Sequence, residues 1–579
     1  MDYKIFNKNS SSSCEIKESR ISDDVTELDI RLDLEASSSP ESFGFSFEVP
    51  CDDIYSFWSP ALGEKRYLRP DWAPAETKSR FASWLPLSQC VSVSGKNRLT
   101  VCCSDCHTPM NIKMGIVEER ATVVVTVEFF SSAVAPLKEY KATVRLDRSG
   151  CDYYGALYSA IAWLEGDCGY TPAEVPAAAK LPMYSAWYSF HQNIDVDAIV
   201  EQCRLAKKLG METVIVDDGW QTDDSSRGYA YCGDWRVAPS KVKDMAKFVD
   251  AVHCTGMKFM IWYSVPYIGP KTQAFERFKT MLLDGKREKP WYHLDPRFKE
   301  VRDYLVGIYT DAVKSWDIDG LKLDFIDSFG IRPDCEVYDE RRDCSSLEDS
   351  LYKLMTEITT AVKAIKPDFL FEFRQSYIGP AVKMFGNMLR VADCPNDASR
   401  NRKGIADLRF TSGKTPVHSD MLMWSPTDSV ECAATQVISS LFGVVQVSVL
   451  LDKIPEEHRK MLKFYLDFAV KNQSVLLDGE FFALTPDCGY TLAGAFDSGK
   501  EICVYYCNIV YSCQRRLGEY VFCNCHGGDG LYLDMKQGGC FKLEIFNCMG
   551  EKLSEEQREL CGLCSIPVPF AGMAKLSRI

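Results

Sequence analysis

The sequence predicts an α/β protein: a (β/α)8 TIM barrel flanked by an N-terminal β-sandwich and a smaller C-terminal β-sandwich. Three observations predict it. Short apolar runs alternate with amphipathic stretches of helical spacing from Leu181 to about Leu477. On either side of that region apolar residues recur at every second position, the mark of strands with one face in a core. A chain of 579 residues is also longer than a single hydrophobic core can organise.

Taken in order, residues 1–176 are assigned to the first β region. From Val25 to Leu146 alternating runs such as TVVVTVEFF and YKATVRLD are broken by Ser, Gly, Asp and Pro. LEASSSPES, from Leu34, reads as a surface loop, and Tyr153 to Glu165 has the spacing of a connecting helix. Residues 177–476 are assigned to the barrel. Its cycle runs LPMYSAWYSF, DVDAIVEQCRLAKKLG, ETVIVDDGW, then KFVDAVHCTG and KFMIWYSV. It continues through VRDYLVGIYTDAVKSW and GLKLDFID, then SLYKLMTEITTAVKAI and FLFEFRQ. An open doubly wound sheet is the rival, but the Gly-rich phosphate turn that usually follows its first strand is missing from the sequence. Residues 477–579 return to alternation in GYTLAGAFD, EICVYYCNIV and CFKLEIFN, and are assigned to the second sandwich.

Composition narrows the function. A net charge of −14 without a Lys/Arg run argues against nucleic acid and suits a neutral small-molecule substrate. The N-terminus lacks an apolar targeting segment and no window reaches the ~20 apolar residues of a membrane span, so the chain reads as soluble, unexported and cytoplasmic. The 25 cysteines lie in apolar strand-like runs and read as reduced, small hydrophobes. Cys102, Cys103, Cys106 and His107, the stretch Cys523 to His526, and Cys561 with Cys564 are the metal alternatives, but none has a partner pair at zinc-finger spacing. No metal or cofactor is expected, and assembly into a homo-oligomer is left open.

In a barrel, functional groups sit at the C-terminal ends of the strands, so polar residues that close apolar runs are the candidates. VIVDDGW supplies Asp217, Asp218 and Trp220; FMIWY supplies Trp262 and Tyr263; LKLDFID supplies Lys322, Asp324 and Asp327; FLFEFRQ supplies Glu372 and Arg374; MLRVADCPND supplies Arg390, Asp393 and Asp397. Strand alternation turns Lys322 and Asp324 inward while Leu321, Leu323 and Phe325 pack outward under the helices. A buried Lys two residues away keeps Asp324 ionised, as a nucleophile needs, although a purely structural ion pair has the same pattern. A retaining glycosidase requires a second carboxyl group about 5–5.5 Å away as acid/base, and Asp393 is the candidate. A close Arg390 would lower its pKa and oppose the acid role. Adjacent Asp217 and Asp218 suit neighbouring sugar hydroxyls, with Trp220, Trp235 and Trp262 as ring platforms or plain core. His418 and Asp420, in PVHSDMLMW, are further binding candidates. Trp58 and Trp72 lie in a loop-like stretch able to reach the barrel mouth.

SAWYSFHQNIDVDAIVEQCRLAKKLGMETVIVDDGWQ, GDWRVAPSKV, GMKFMIWYSVP and DGLKLDF, in that order, resemble the α-galactosidase family of clan D glycoside hydrolases, glycoside hydrolase family 36. The match is good from residue 181 to about 330. The resemblance implies Asp324 as nucleophile, Asp217 and Asp218 as partners of the galactose 4- and 6-hydroxyls, and Lys322 and Trp235 as sugar contacts. ADCPND is similar in spacing to the family's acid/base stretch and implies Asp393. One departure concerns specificity. The family's Cys- and Gly-rich loop by the sugar 2-hydroxyl is replaced by FEFRQSYIGP, so that Arg374 and Gln375 change charge and bulk there. The implied activity is retaining hydrolysis of a terminal α-galactoside. A galactosyl transferase of the raffinose-synthase kind, an α-N-acetylgalactosaminidase and a non-catalytic carbohydrate-binding relative are the alternatives.

Overall fold

The computed structural model describes residues 2–9, 12–285, 287–332, 335 and 339–579. Two antiparallel sheets make up the N-terminal region. The first, five-stranded, orders Lys4–Asn7, Phe43–Pro50, Thr122–Phe129, Met110–Val117 and Ala75–Ser79. The second has six strands, among them Val25–Ser38 paired with Leu137–Asp147. Their alternating inner residues meet in one core, Phe43, Phe45, Val123, Val125 and Val127 against Leu28, Ile30, Leu32, Val144 and Leu146. LEASSSPES is not wholly a loop. Leu34 pairs with Ser12 and Ser38 with Leu137, so the strand runs on to Ser38. Leu34 is buried and keeps the alternation of Leu28, Ile30 and Leu32, which outweighs the turn propensity of the serines.

The helix Tyr153–Gly166 does connect the regions, its tyrosines reaching forward: Tyr153 Oη donates to the Ala483 carbonyl at 2.8 Å and Tyr158 Oη to that of Phe481 at 2.8 Å. The barrel follows with eight parallel strands: β1 (Met183–Ser185), β2 (Thr213–Val216), β3 (Lys258–Ser264), β4 (Gly320–Asp324), β5 (Leu370–Arg374), β6 (Met388–Arg390), β7 (Val417–His418) and β8 (Gln446–Val447). A parallel bridge from His418 to Val444 closes the ring between β7 and β8. Helices are punctuated as their sequences dictate. Asp195 caps Val196–Leu209 by accepting from Ala198 N at 3.0 Å, and Gly210 ends it in the left-handed region. No helix among the described residues is long and apolar enough to cross a membrane.

Inside the barrel, side chains stack in layers two residues apart along each strand. The floor is apolar, with Ile215, Met260, Leu370 and Met388 closed from below by Ala178 and Ala179. Gly320 completes it because a Cβ there would lie 2.6 Å from Met260 and 2.8 Å from Leu370. Two residues further on, the inner face becomes charged.

The C-terminal strands, Glu480–Leu484 to Met573–Arg578, form one continuous eight-stranded mixed sheet where two separate sheets were expected. The long strand Leu531–Phe546 changes register between Met535 and Gly539. Its first half pairs with Val510–Cys513 and its second with Met573–Arg578, so one sheet folds around its own core. The three regions meet at a buried knot. Arg66 donates to Asp407 Oδ1 at 2.5 Å, to Tyr490 Oη at 2.8 Å and to the Pro486 carbonyl at 3.1 Å, and Trp58 Nε1 donates to Tyr490 Oη at 3.0 Å. Trp58 is therefore enclosed at this junction, whereas Trp72 is 76% exposed.

Breaking a buried pair from one side strands the other charge. Asp407→Ala is expected to cost about 3–5 kcal/mol in denaturant unfolding, and Arg66→Met/Asp407→Leu together are expected to cost much less than Asp407→Ala alone.

Candidate active site

The charged layers at the top of the barrel bring most of the predicted residues together. Asp324, the last residue of β4, is 6% exposed. Its Oδ1 accepts from Arg374 Nε at 2.6 Å and Tyr377 Oη at 3.1 Å, and its Oδ2 from Trp262 Nε1 at 3.0 Å. Burial pushes its pKa up, but Arg374, then Lys322, then the Trp262 N–H outweigh this and hold the carboxyl well below the usual aspartate range. Arg374 is thus the main partner. Lys322 acts at longer range, since its Nζ bonds Asp217 Oδ2 at 2.5 Å.

Asp217 Oδ1 accepts the Asp218 N–H at 2.9 Å, which fixes the turn after β2. Both oxygens of Asp218 accept side-chain amides, Gln192 Nε2 at 2.6 Å and Gln221 Nε2 at 2.7 Å. Burial raises the Asp218 pKa to about 6 against these bonds. Gly219 is obligatory in this turn: its φ is +119°, and a Cβ would sit 2.5 Å from Gln192 Cα.

Across the barrel, Arg390 ends β6 fully buried. It donates from Nη1 to Asp420 Oδ1 at 2.5 Å and from Nη2 to Asp393 Oδ1 at 2.9 Å, and its Nε lies 3.5 Å from Glu372 Oε1. Asp420 is no surface ligand; it also accepts Tyr188 Oη at 2.9 Å and Cys394 N at 2.6 Å, and anchors Arg390. Asp393 differs from the rest because its side chain is half exposed. Burial raises its pKa, but Arg390, Lys322 and Arg374 bring it below the ordinary value, with Asp324 opposing. Asp327, on the turn after β4, goes the other way. Burial raises its pKa, opposed by Arg374 and by a 3.0 Å bond from Ser376 Oγ.

Several expectations change. Trp220 is fully enclosed, its indole N–H donated to the Trp262 carbonyl at 3.0 Å and its ring packed on Trp235, Tyr263 and Trp316, so it braces the wall rather than faces a ligand. Trp262 reaches the site through its N–H, and Trp235 packs edge-on against it at 5.9 Å. Phe325 does not pack under the helices. The strand ends at Asp324, Phe325 turns to φ +64°, and its ring joins Tyr229 and Tyr267 with the Arg374 guanidinium 5.1 Å from its centre. His418 lies against the floor, its Nε2 2.8 Å from the Ala179 carbonyl, and burial pushes its pKa down to about 4. Asp397 caps the helix Ala398–Arg409. Sequence reasoning passed over Gln192, Gln221, Tyr188, Tyr229 and Tyr377. All but Tyr229 carry one usable signal, that each lies within a few residues after a barrel strand. The Cys102, Cys103 and Cys106 thiols are buried and pushed up by that burial, and no group of three metal-binding side chains converges among the described residues.

A closed parallel barrel with a buried Asp held ionised at the end of β4 and further carboxylates around its mouth places acidic groups where barrel enzymes carry their sites. The melibiase family model matches residues 179–373. The α-galactosidase Mel36A of Lactobacillus acidophilus is 28% identical over 202 residues, 32% of this chain and 26% of its own. The α-galactosidase AgaA of Geobacillus stearothermophilus is 26% identical over 352 residues, 55% of this chain and 45% of its own. These curated relatives are therefore matched over less than half their length. The crystal structure of AgaA superposes with a TM-score of 0.67 at 15% identity, covering 96% of this chain and 80% of that one. A variant of AgaA in complex with raffinose gives a TM-score of 0.66 at 14% identity. Over residues 179–373 the chain is thus similar to the melibiase family, and its fold is that of the glycoside hydrolase family 36 α-galactosidase AgaA.

Since Arg374 is the largest force holding Asp324 ionised, Arg374→Gln is expected to move the Asp324 pKa upward, read by carboxyl ¹³C NMR titration. The sign for stability follows. The depressed pKa stabilises the fold at pH above the unfolded value of about 4, and this contribution is lost as pH falls through the folded value. In Arg374→Gln that contribution is expected to be smaller and its loss complete at higher pH, read by thermal unfolding as a function of pH.

Proposed function

We propose that this chain is a retaining α-galactosidase that releases terminal α-linked galactose through a covalent glycosyl-enzyme. The observation that carries the reading is the state of Asp324, ionised in a low-dielectric site with Oδ1 held by two side-chain donors and Oδ2 by one. Oδ2 keeps a lone pair for the anomeric carbon. In the first step Oδ2 attacks that carbon as the glycosidic oxygen leaves with a proton from Asp393. In the second, Asp393 takes a proton from water, whose oxygen attacks on the face that the leaving oxygen vacated and displaces Asp324, giving net retention.

Asp393 must be protonated to act first. A bound glycan excludes water from its half-exposed carboxyl, which raises its pKa against the pull of Arg390. Asp217, Asp218, Lys322 and Trp235 are assigned to the galactose hydroxyls and ring, and Arg374 with Gln375 to the 2-position. The complexes of AgaA variants with raffinose and stachyose support an oligosaccharide substrate. A second reading has one observation in its favour. Asp327 has its pKa raised by burial and its carboxyl bonded to the Ser376 hydroxyl, which suits a general acid.

Asp324→Ala is expected to lose roughly 10⁴-fold or more of aryl α-galactosidase activity. Asp393→Ala is expected to lose about 10²–10⁴-fold on unactivated galactosides, with azide restoring turnover of an activated one. A 2-deoxy-2-fluorogalactosyl adduct on Asp324, found by peptide mass, together with α-galactose as first product by NMR, supports the reading. β-Galactose as first product overturns retention, and azide rescue of Asp327→Ala instead of Asp393→Ala moves the acid role to Asp327.

A further inference from the structure

One hydroxyl group at the barrel mouth has no use within the protein. Tyr229 lies on the loop that joins β2 to the helix Met245–His253. That loop is tied down: Cys232 N donates to the Tyr229 carbonyl at 3.1 Å, Gly269 N to that of Cys232 at 2.7 Å and Lys271 N to that of Ala230 at 3.1 Å. Gly269 lets the two loops cross, since a Cβ there would lie 2.1 Å from the Ala230 backbone. Four aromatic neighbours hold the ring. It lies nearly parallel to Trp262 at 6.3 Å, tilted on Tyr267 at 5.0 Å, and edge-to-face with Trp291 and Phe325 at 5.2 Å each. This packing accounts for the ring and leaves the hydroxyl unexplained, because a phenylalanine would fill the same space.

No group among the described residues hydrogen-bonds Tyr229 Oη. Tyr188 and Tyr377, also at the mouth, donate to Asp420 and Asp324. The hydroxyls of Tyr263 and Tyr309 are unpartnered too, but they are sealed behind the barrel wall, whereas Tyr229 is half-buried and its hydroxyl is not sealed. The charges that act on it are those of Asp324 and then Asp218; after burial they push its pKa up, so it remains a neutral O–H donor. Neither carboxylate accepts from it, because Arg374, Tyr377 and Trp262 hold Asp324 while Gln192 and Gln221 hold Asp218. The acceptor that fits is an oxygen of the substrate lying between the two. With the anomeric carbon at Asp324 and the 4- and 6-hydroxyls at Asp218, the sugar edge between them carries the ring oxygen and C6. Arg374, its guanidinium 5.1 Å from the Phe325 ring centre, is assigned to the other edge, at the 2-position. Chemistry excludes the ring oxygen. It gains positive charge in the oxocarbenium-like transition state, and a donor there would oppose the reaction, whereas the 6-hydroxyl stays neutral throughout.

We propose that Tyr229 is a substrate-binding residue whose hydroxyl donates to the 6-hydroxyl oxygen of the bound galactoside, selecting a sugar with an intact 6-hydroxyl over its 6-deoxy counterpart. The proposal rests on the galactosidase reading, and the test separates the two. Tyr229→Phe keeps the ring and its packing and removes only the hydroxyl. The full-length parent and this variant are compared in kcat/KM on nitrophenyl α-galactoside and on nitrophenyl 6-deoxy-α-galactoside. The parent is expected to prefer the galactoside by about tenfold or more, because a site built to bond a substrate hydroxyl rejects the analogue that lacks it. Tyr229→Phe is expected to lose about tenfold on the galactoside, the scale of one hydrogen bond, and to change less than twofold on the 6-deoxy substrate. A parent that hydrolyses both substrates equally overturns the assignment without recourse to the variant. So does a variant with an unchanged galactoside rate. Equal losses on both substrates overturn it as well, since the hydroxyl then acts through Trp262 or Asp324 and not on C6. Failure of the parent to hydrolyse either substrate overturns the galactosidase reading, and the Tyr229 assignment with it.

Discussion

The upper interior of the barrel is crowded with charge that water does not reach, and the architecture depends on that charge being compensated within the protein. Asp217 faces Lys322, Asp324 faces Arg374, and Glu372 and Asp420 flank Arg390, which also reaches the half-exposed Asp393 at the rim. Any of these alone would carry a desolvation cost of several kcal/mol. Together they fix one another's rotamers, with Trp262 and Tyr377 as neutral donors to Asp324 and Gln192 and Gln221 as donors to the neighbouring Asp218. The site is rigid because a rotation of one member leaves another unpaired.

The position of that charge follows from the two-residue repeat along the strands. Inward-facing residues read apolar at the floor, charged or indole-bearing in the middle and charged or hydroxylic at the top: Met260, Trp262 and Ser264 on β3, Gly320, Lys322 and Asp324 on β4, Leu370, Glu372 and Arg374 on β5. The floor excludes water from below, so the ion pairs above it act in a medium of low polarity. Gly320 lets β3 and β5 close over the floor, which in turn sets the height of Asp324.

Much of this was legible in the sequence. Alternation of apolar runs with amphipathic stretches located the barrel strands, and polar residues ending those runs located Asp217, Asp324, Glu372, Arg374 and Arg390. What escaped has physical reasons. Whether an indole faces a ligand or a neighbouring ring depends on packing between strands, so Trp220 and Trp262 looked equivalent. The end of β4 at Asp324 depends on a left-handed residue that no glycine marks, so Phe325 was placed on the wrong side. His418 is polar, but the strand it ends leaves it level with the floor. The partner of Lys322 is set by cross-barrel distance, which spacing along one strand does not carry. In the C-terminal region the alternation was correct, but it does not reveal a strand that folds back through a change of register.

The knot of Arg66, Asp407 and Tyr490 bears on how such a chain can be recombined. One member comes from each region. A chimera that takes its first region from one relative and its barrel from another keeps both hydrophobic cores, yet inherits an isolated buried ion unless both halves of the knot travel together. Exchange of whole regions, normally the gentlest way to vary a modular protein, is constrained here by a single guanidinium.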